Sequence, residues 1–188
     1  LWSSPENLLA LGGTLETSLG AATLALTLGA PLALVLGRTD LPARRGLETL
    51  FTLPAALPPF ILGMGWVSLT NPRAGLLNVL LGPGTFDIYG RGGIAFVLGT
   101  AGLPLVFLPT RAALARIDSS LEEAARISGA GPARALLTVT LPLALPAAFS
   151  GAALCFLFAA SAFGVPYLLG VTSTPPTPVS RRAHRAPK

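Results

Sequence analysis

The sequence predicts an all-α, polytopic membrane bundle, and three observations carry that prediction. Only 11% of the 188 residues are charged, against about a quarter in an ordinary soluble domain, so the chain cannot cover a water-facing surface. Hydrophobic residues make up 52% of it and the mean hydropathy is +0.68. Four apolar stretches qualify for the roughly 20 residues that a helix needs to cross a hydrocarbon core about 30 Å thick. The 18 Pro and 21 Gly do not oppose this reading. In a membrane bundle, neighbouring helices re-satisfy the carbonyls that proline frees, and small residues let backbones approach.

The first stretch, Thr17 to Gly37, contains no charge. The second, Leu50 to Thr70, is also uncharged and holds Pro54, Pro58 and Pro59. The third, Gly92 to Thr110, carries Pro104 and Pro109; the fourth, Leu136 to Leu169, holds Pro142, Pro146 and Pro166 and is long enough to span with residues to spare. Three connections separate them: Arg38 to Thr49, Asn71 to Arg91, and Arg111 to Ala135. Alternating spans put Arg38, Arg44, Arg45, Arg111, Arg116, Arg126 and Arg134 on one side and only Arg73 and Arg91 on the other. The arginine-rich side is cytoplasmic by the positive-inside rule. Trp2, Trp66, Tyr89 and Tyr167 then fall at or beyond the external ends of spans, as interfacial aromatics do.

The tail after Gly170 departs from this order. Its run Thr172-Ser173-Thr174-Pro175-Pro176-Thr177-Pro178 forms no regular element, and Arg181, Arg182, Arg185 and Lys188 follow a span that exits outside. Residues 171–188 therefore read as a disordered, Pro-rich basic tail, with a frameshifted or artificial end as the alternative; residues 1–170 form the membrane domain. The tail also explains the net charge of +5: up to Gly170, nine arginines stand against eight acids, so the high pI is no sign of nucleic-acid binding. The start at Leu1 has neither an initiator Met nor a signal peptide's basic region, and the chain reads as cut from something longer.

Enzymatic chemistry has little to build on. The only Lys is Lys188, which excludes a Gly-x-x-x-x-Gly-Lys-Ser/Thr phosphate loop, and the only His is His184, in the tail. Gly90-Arg91-Gly92-Gly93 has no nucleotide fingerprint, and the adjacent Glu122 and Glu123 point away from each other on a helix. Cys155 lies in an apolar run and reads as packing. No cofactor and no metal site is expected. Glu16, near the outer end of the first span, reads either as a pathway-lining group or as an interfacial one.

The third connection carries the sharp signal. In Asp118-Ser119-Ser120-Leu121-Glu122-Glu123-Ala124-Ala125-Arg126-Ile127-Ser128-Gly129-Ala130-Gly131-Pro132, Ser119 with Glu122 and Ser120 with Glu123 match the capping box and predict a helix start. Gly129 and Gly131 stop that helix, and Pro132 opens a second one that runs into the fourth span. Leu121, Ala124, Ala125 and Ser128 share one small-residue face.

Beyond the caps, the spacing resembles the cytoplasmic loop of the permeases of binding-protein-dependent ABC importers. Their pattern is Glu-Ala-Ala, three residues, Gly, nine residues, Ile or Val, one residue, Leu-Pro. Here it stands as Glu123-Ala124-Ala125, Gly129, Val139 and Leu141-Pro142. Leu36-Gly37-Arg38-Thr39-Asp40-Leu41-Pro42, Leu53-Pro54 with Leu57-Pro58-Pro59, Gly75-Leu76-Leu77-Asn78, Ile88-Tyr89-Gly90 and Phe163-Gly164-Val165-Pro166 are similar to the N-terminal half of iron(III) importer permeases. Thiamine, phosphonate and polyamine permeases share much of this pattern.

The resemblance implies a type I importer permease of the cell's inner or plasma membrane, without ATPase activity of its own. Its partners are cytoplasmic ABC ATPase subunits, a periplasmic or extracellular substrate-binding protein, and a second permease half or a second copy, all in a lipid bilayer and without nucleic acid. Glu123, Ala124, Ala125, Gly129, Val139, Leu141 and Pro142 are then the ATPase-coupling residues. Glu123 makes a polar contact to the ATPase, the alanines permit close approach and Gly129 makes the turn. The resemblance further implies a span before Leu1 and one or two after Gly170. The alternatives are a non-transporting fragment of an interrupted permease and, against the loop motif, an ATP-independent secondary transporter.

Overall fold

A computed structural model describes residues 5–39, 41–72, 75–82, 85 and 87–169. The predicted basic tail, Trp2, Asp40 and Arg73 lie outside them. Among the described residues the chain is helical and has no strand. The elements are α1 (Pro5–Arg38), α2 (Arg44–Thr52), a 3₁₀ turn (Leu53–Ala56), α3 (Pro59–Thr70), α4 (Leu76–Leu81), α5 (Arg91–Arg116), α6 (Ser119–Ile127), α7 (Pro132–Ala135), a π-helical segment (Leu136–Thr140), α8 (Leu141–Ala160) and α9 (Gly164–Leu168).

Three helices are long and apolar enough to cross a membrane: α1, α5, and the continuous run Pro132–Ala160 formed by α7, the π segment and α8. They correspond to the first, third and fourth predicted spans, with shifted ends. The first begins earlier, at Pro5, and the fourth stops at Ala160, so that only the short α9 follows. Thr14, Thr17, Thr23 and Thr27 cause no difficulty inside α1. Each hydroxyl donates to the carbonyl four residues back, at 3.0, 2.9, 2.6 and 2.8 Å, which satisfies it without water.

The predicted second span is not one straight helix. Its two halves, Arg44–Ala56 and Pro59–Thr70, meet at 111°. The cause is local: a residue before proline is pushed out of the α region, and Leu57 and Pro58 each precede one. Leu57 is extended (φ −108°, ψ 135°) and Pro58 has φ −56°, ψ 137°. The isolated Pro31, Pro104, Pro109 and Pro146 stay inside their helices.

The bent pair nevertheless carries the chain from one end of the bundle to the other. At its start, Glu48 Oε1 accepts from Arg111 Nε at 3.2 Å and the Phe51 ring lies 6.3 Å from Phe107. Near its end, the Trp66 ring stands edge-on to Phe96 at 4.7 Å. Phe107 and Phe96 are separated by about 16 Å along α5 at 1.5 Å per residue. Three membrane-length helices and one bent pair result, where four spans were predicted. Arg38, Arg44 and Arg111 gather at one end, and Arg91 and Trp66 lie towards the other.

α5 is the central helix. Of its most apolar stretch 61% is buried, against 33% for α1 and 28% for the run ending in α8. α1 lies parallel to it in nearly constant register, from Glu16 beside Arg91 (2.7 Å) to Gly37 beside Leu114. α8 returns antiparallel. The core is layered along the bundle: Ile94, Val97, Leu98, Ala159 and Val165 at the Arg91 end; Ala25, Val106, Ala148 and Cys155 midway; Leu36, Phe107, Leu114 and Ala144 at the arginine-rich end. Cys155 is a packing residue here, its Sγ 3.8 Å from Ala21 O. At Gly151 a Cβ would lie 2.7 Å from Val106 Cα, on the α5 backbone itself. At the far end, buried Asn78 closes α3 by donating from Nδ2 to Thr70 O (2.9 Å) and Asn71 O (3.1 Å).

Two expectations follow. In a Cys155→Ala background, a cysteine at Arg45 is labelled by an impermeant maleimide from the cytoplasmic side only and one at Tyr89 from the external side only; labelling of both from one side excludes the four-passage path. Gly151→Ala destabilises the folded protein in detergent by about 1–3 kcal/mol, the usual cost of overpacking. Gly12→Ala, where a Cβ meets nothing within 4 Å, is neutral or stabilising.

Candidate functional site

The loop between α5 and α8 stands at the arginine-rich end as a helix, a tight turn and a second helix. The start of α6 differs from the predicted capping boxes. Asp118 is the cap: it is extended (φ −66°, ψ 129°), and its Oδ1 accepts from the Ser120 amide at 2.9 Å. Ser119 and Ser120 are already the first two helical residues. Any of three consecutive hydroxyl or carboxylate side chains suits this role; the backbone leaving α5 through extended Ile117 (φ −73°, ψ 121°) turns into the helix at Asp118. The Ser120 backbone bond first, and a Ser120 side-chain bond second, hold the Asp118 carboxyl below the ordinary carboxylate value.

The end of α6 is the predicted glycine stop. Gly129 has φ +87°, a conformation that residues with a Cβ rarely adopt. Gly129 N donates to Arg126 O at 3.0 Å, and Ala130 N to Ala125 O at 3.0 Å. These are the two bonds of a Schellman turn. Gly131 caps α7, Pro132 occupies its first turn, and the helix continues through the π segment into α8 without a break. The second predicted helix therefore runs into the fourth span.

The seven motif residues are not gathered into one pocket; they are distributed along this lever. Glu123 and Ala124 are exposed on α6 and Ala125 is half-buried. Gly129 forms the turn, half-buried Val139 lies in the π segment, and half-buried Leu141 and exposed Pro142 begin α8. Of the predicted small-residue face, Leu121, Ala124 and Ser128 are exposed and Ala125 is half-covered. Ile127, not included in that face, extends it and is 88% exposed. An isoleucine so placed leaves α6 with an apolar outward tip.

The sequence reading missed what holds α6 against the bundle. Glu122 Oε1 lies 3.0 Å from Arg38 Nη2, as an ion pair without the alignment of a hydrogen bond, and accepts from Thr140 Oγ1 at 2.5 Å. Glu122 and Glu123 thus divide the work: one faces the bundle, the other solvent. The adjacency of the two acids was visible in the sequence, but the partners lie 84 residues upstream and 18 downstream, beyond the reach of local pattern. Glu48 plays a similar part for α2, pairing with Arg44 and Arg111 through Oε1 at 3.2 Å each. Glu16 pairs with Arg91 at 2.7 Å with both side chains more than half exposed.

The Asp118 cap makes a pH prediction. Because its folded-state value is depressed, the cap's stabilisation is complete above the unfolded carboxyl value near 3.9 and is lost as pH falls through the lower folded value. Amide protection factors in the first turn of α6 are therefore flat from about pH 7 to 5 and fall only below about pH 4. Asp118→Ala removes that protection at all these pH values; persistence of full protection in the variant excludes Asp118 as the cap.

Comparison with known proteins is consistent with this geometry. The chain is similar over 168 residues, at 33% identity, to a protein of Salmonella typhimurium provisionally named as a 2-aminoethylphosphonate transport system permease, covering 86% of this chain and 58% of that one. It is 32% identical over 154 residues to the molybdenum transport system permease of Escherichia coli K12, covering 80% and 66%. A molybdate/tungstate transport system permease of Thermococcus kodakarensis is 30% identical over 155 residues, covering 82% and 58%. The chain thus spans about 58% of the length of the first of these relatives. The family model for binding-protein-dependent transport system inner membrane components matches residues 19–184, and the chain belongs to that family.

Proposed function

We propose that the chain is part of the permease subunit of an ABC importer, which couples a substrate pathway to a separate cytoplasmic ATPase through α6. One observation carries this reading: an exposed helix with an apolar tip is joined by a rigid Schellman turn to a helix that continues into a membrane span. Displacement of α6 by a moving partner is then passed to α8 as a rigid-body motion rather than absorbed in a loop. Glu123 and Arg126 offer the partner charge, and Leu121, Ala124 and Ile127 offer a close-fitting apolar ridge. The exposed apolar faces of α1 and α8 suit lipid and a second permease half or second copy. An external binding protein delivers the substrate at the opposite end.

For substrate we propose a compact oxyanion. The relatives above are named for a phosphonate and for molybdate or tungstate, which share a small anionic cluster of oxygens, and this supports an oxyanion over the iron(III) that the sequence pattern suggested. The four ion pairs of the described residues lie at the two ends of the bundle. Selection of the ion then falls to the binding protein, with the permease supplying the pathway.

The experiment is uptake into proteoliposomes that hold the permease, its ATPase and its binding protein. ATP-dependent uptake of molybdate or 2-aminoethylphosphonate is expected, and uptake of iron(III) alone overturns the oxyanion assignment. Gly129→Leu forces a side chain into a backbone state that costs it roughly 1–2 kcal/mol. It is expected to lower uptake per ATP hydrolysed while the ATPase remains bound; an unchanged ratio rejects the lever.

A further inference from the structure

The coupling reading accounts for the path from α6 to α8, which is covalent. It does not account for α1, whose C-terminal end meets the same loop. We propose that Glu122 is a positioning residue that ties α6 to α1 and α8 together, so that all three respond to the ATPase as one body; the proposal rests on the reading of α6 as the coupling helix.

Three features support it. First, a single oxygen, Glu122 Oε1, receives both Arg38 Nη2 at 3.0 Å and Thr140 Oγ1 at 2.5 Å. Arg38 is the last residue of α1, and Thr140 is the last residue before α8. The carboxylate therefore sits at the junction of three elements, two of which have no short covalent connection.

Second, the Thr140 hydroxyl does something unusual for this protein. Thr14, Thr17, Thr23, Thr27, Thr110 and Thr138 all donate to the carbonyl four residues back, the ordinary solution for a threonine in a helix. Thr140, fully buried, gives its hydroxyl to Glu122 instead. It stands at the end of the π segment, where the i→i−4 ladder is interrupted. Such π insertions are frequent at functional sites. Here the insertion coincides with a side chain released from its own helix to bond another.

Third, the arginine is committed to this partner. Among the described residues, Glu122 is the carboxylate paired with Arg38, and Arg38 Nε is buried without a hydrogen-bond partner. A cation in that position, once deprived of its counter-charge, is left uncompensated at the bundle's edge. The Arg38 contact is an ion pair rather than an aligned hydrogen bond, so it tolerates small rotations of α6 while still resisting separation.

The test is made in the complete transporter, with uptake per ATP hydrolysed and ATPase co-purification as separate readouts. Glu122→Gln keeps the shape and removes the charge; Thr140→Val removes only the hydroxyl and guards against misfolding of the first variant. Each is expected to lower uptake per ATP by about fivefold or more, the lower range of ordinary coupling energies, with co-purification unchanged. The charge swap Arg38→Glu with Glu122→Arg is expected to recover much of the loss, which a merely structural role for either residue would not produce. Unchanged ratios in both single variants, with the ATPase bound and hydrolysing, overturn the Glu122 tie alone. Failure of the parent transporter to bind the ATPase overturns the coupling reading, and this proposal with it.

Discussion

The close approach of α5 to α1 and α8 is the constraint on which the other contacts depend. Without a hydrophobic drive between helices in lipid, association relies on packing and on small residues that let backbones meet. The contact at Gly151 brings α8 onto the α5 main chain, and Cys155 fills the space where α1, α5 and α8 converge. Once that centre is set, the rest follows by length. α1 keeps its register with α5 from Glu16 to Gly37, the two ends of the bundle are defined, and the loops at each end are brought together.

The ends then settle the electrostatics. A chain with nine arginines and eight acids up to Gly170 cannot afford scattered charge in an apolar bundle. Glu48 stands between Arg44 and Arg111, and Glu122 between Arg38 and Thr140. Both clusters lie at the arginine-rich end of the bundle. Each connects elements that are remote in sequence. Glu48 joins the start of the bent pair to the end of α5; Glu122 joins α6 to the end of α1. Exposed ion pairs contribute little stability, so the value of these partly buried ones lies in position.

The family assignment and the geometry point the same way but answer different questions. Similarity over residues 19–184 says what kind of component the chain belongs to. The geometry shows what joins the loop to a span: a Schellman turn and a continuous helix lie between α6 and α8. The oxyanion proposal draws on the relatives' names.

Composition and local pattern were enough to establish the membrane bundle, its three long spans, the helix–glycine–helix loop and the family. Each of these depends on residues near one another in the chain: apolar runs long enough to cross lipid, arginines between them, and glycine and proline at fixed offsets around a turn. The bend at Leu57-Pro58-Pro59 was also written locally, since two successive residues precede prolines, yet it was read as part of a single span because hydropathy does not register direction. The partners of Glu122 and Glu48, the central place of α5 and the exposure of Ile127 depended on the folded arrangement. They are set by which helices meet and in what register, and that is a matter of contacts between side chains tens of residues apart.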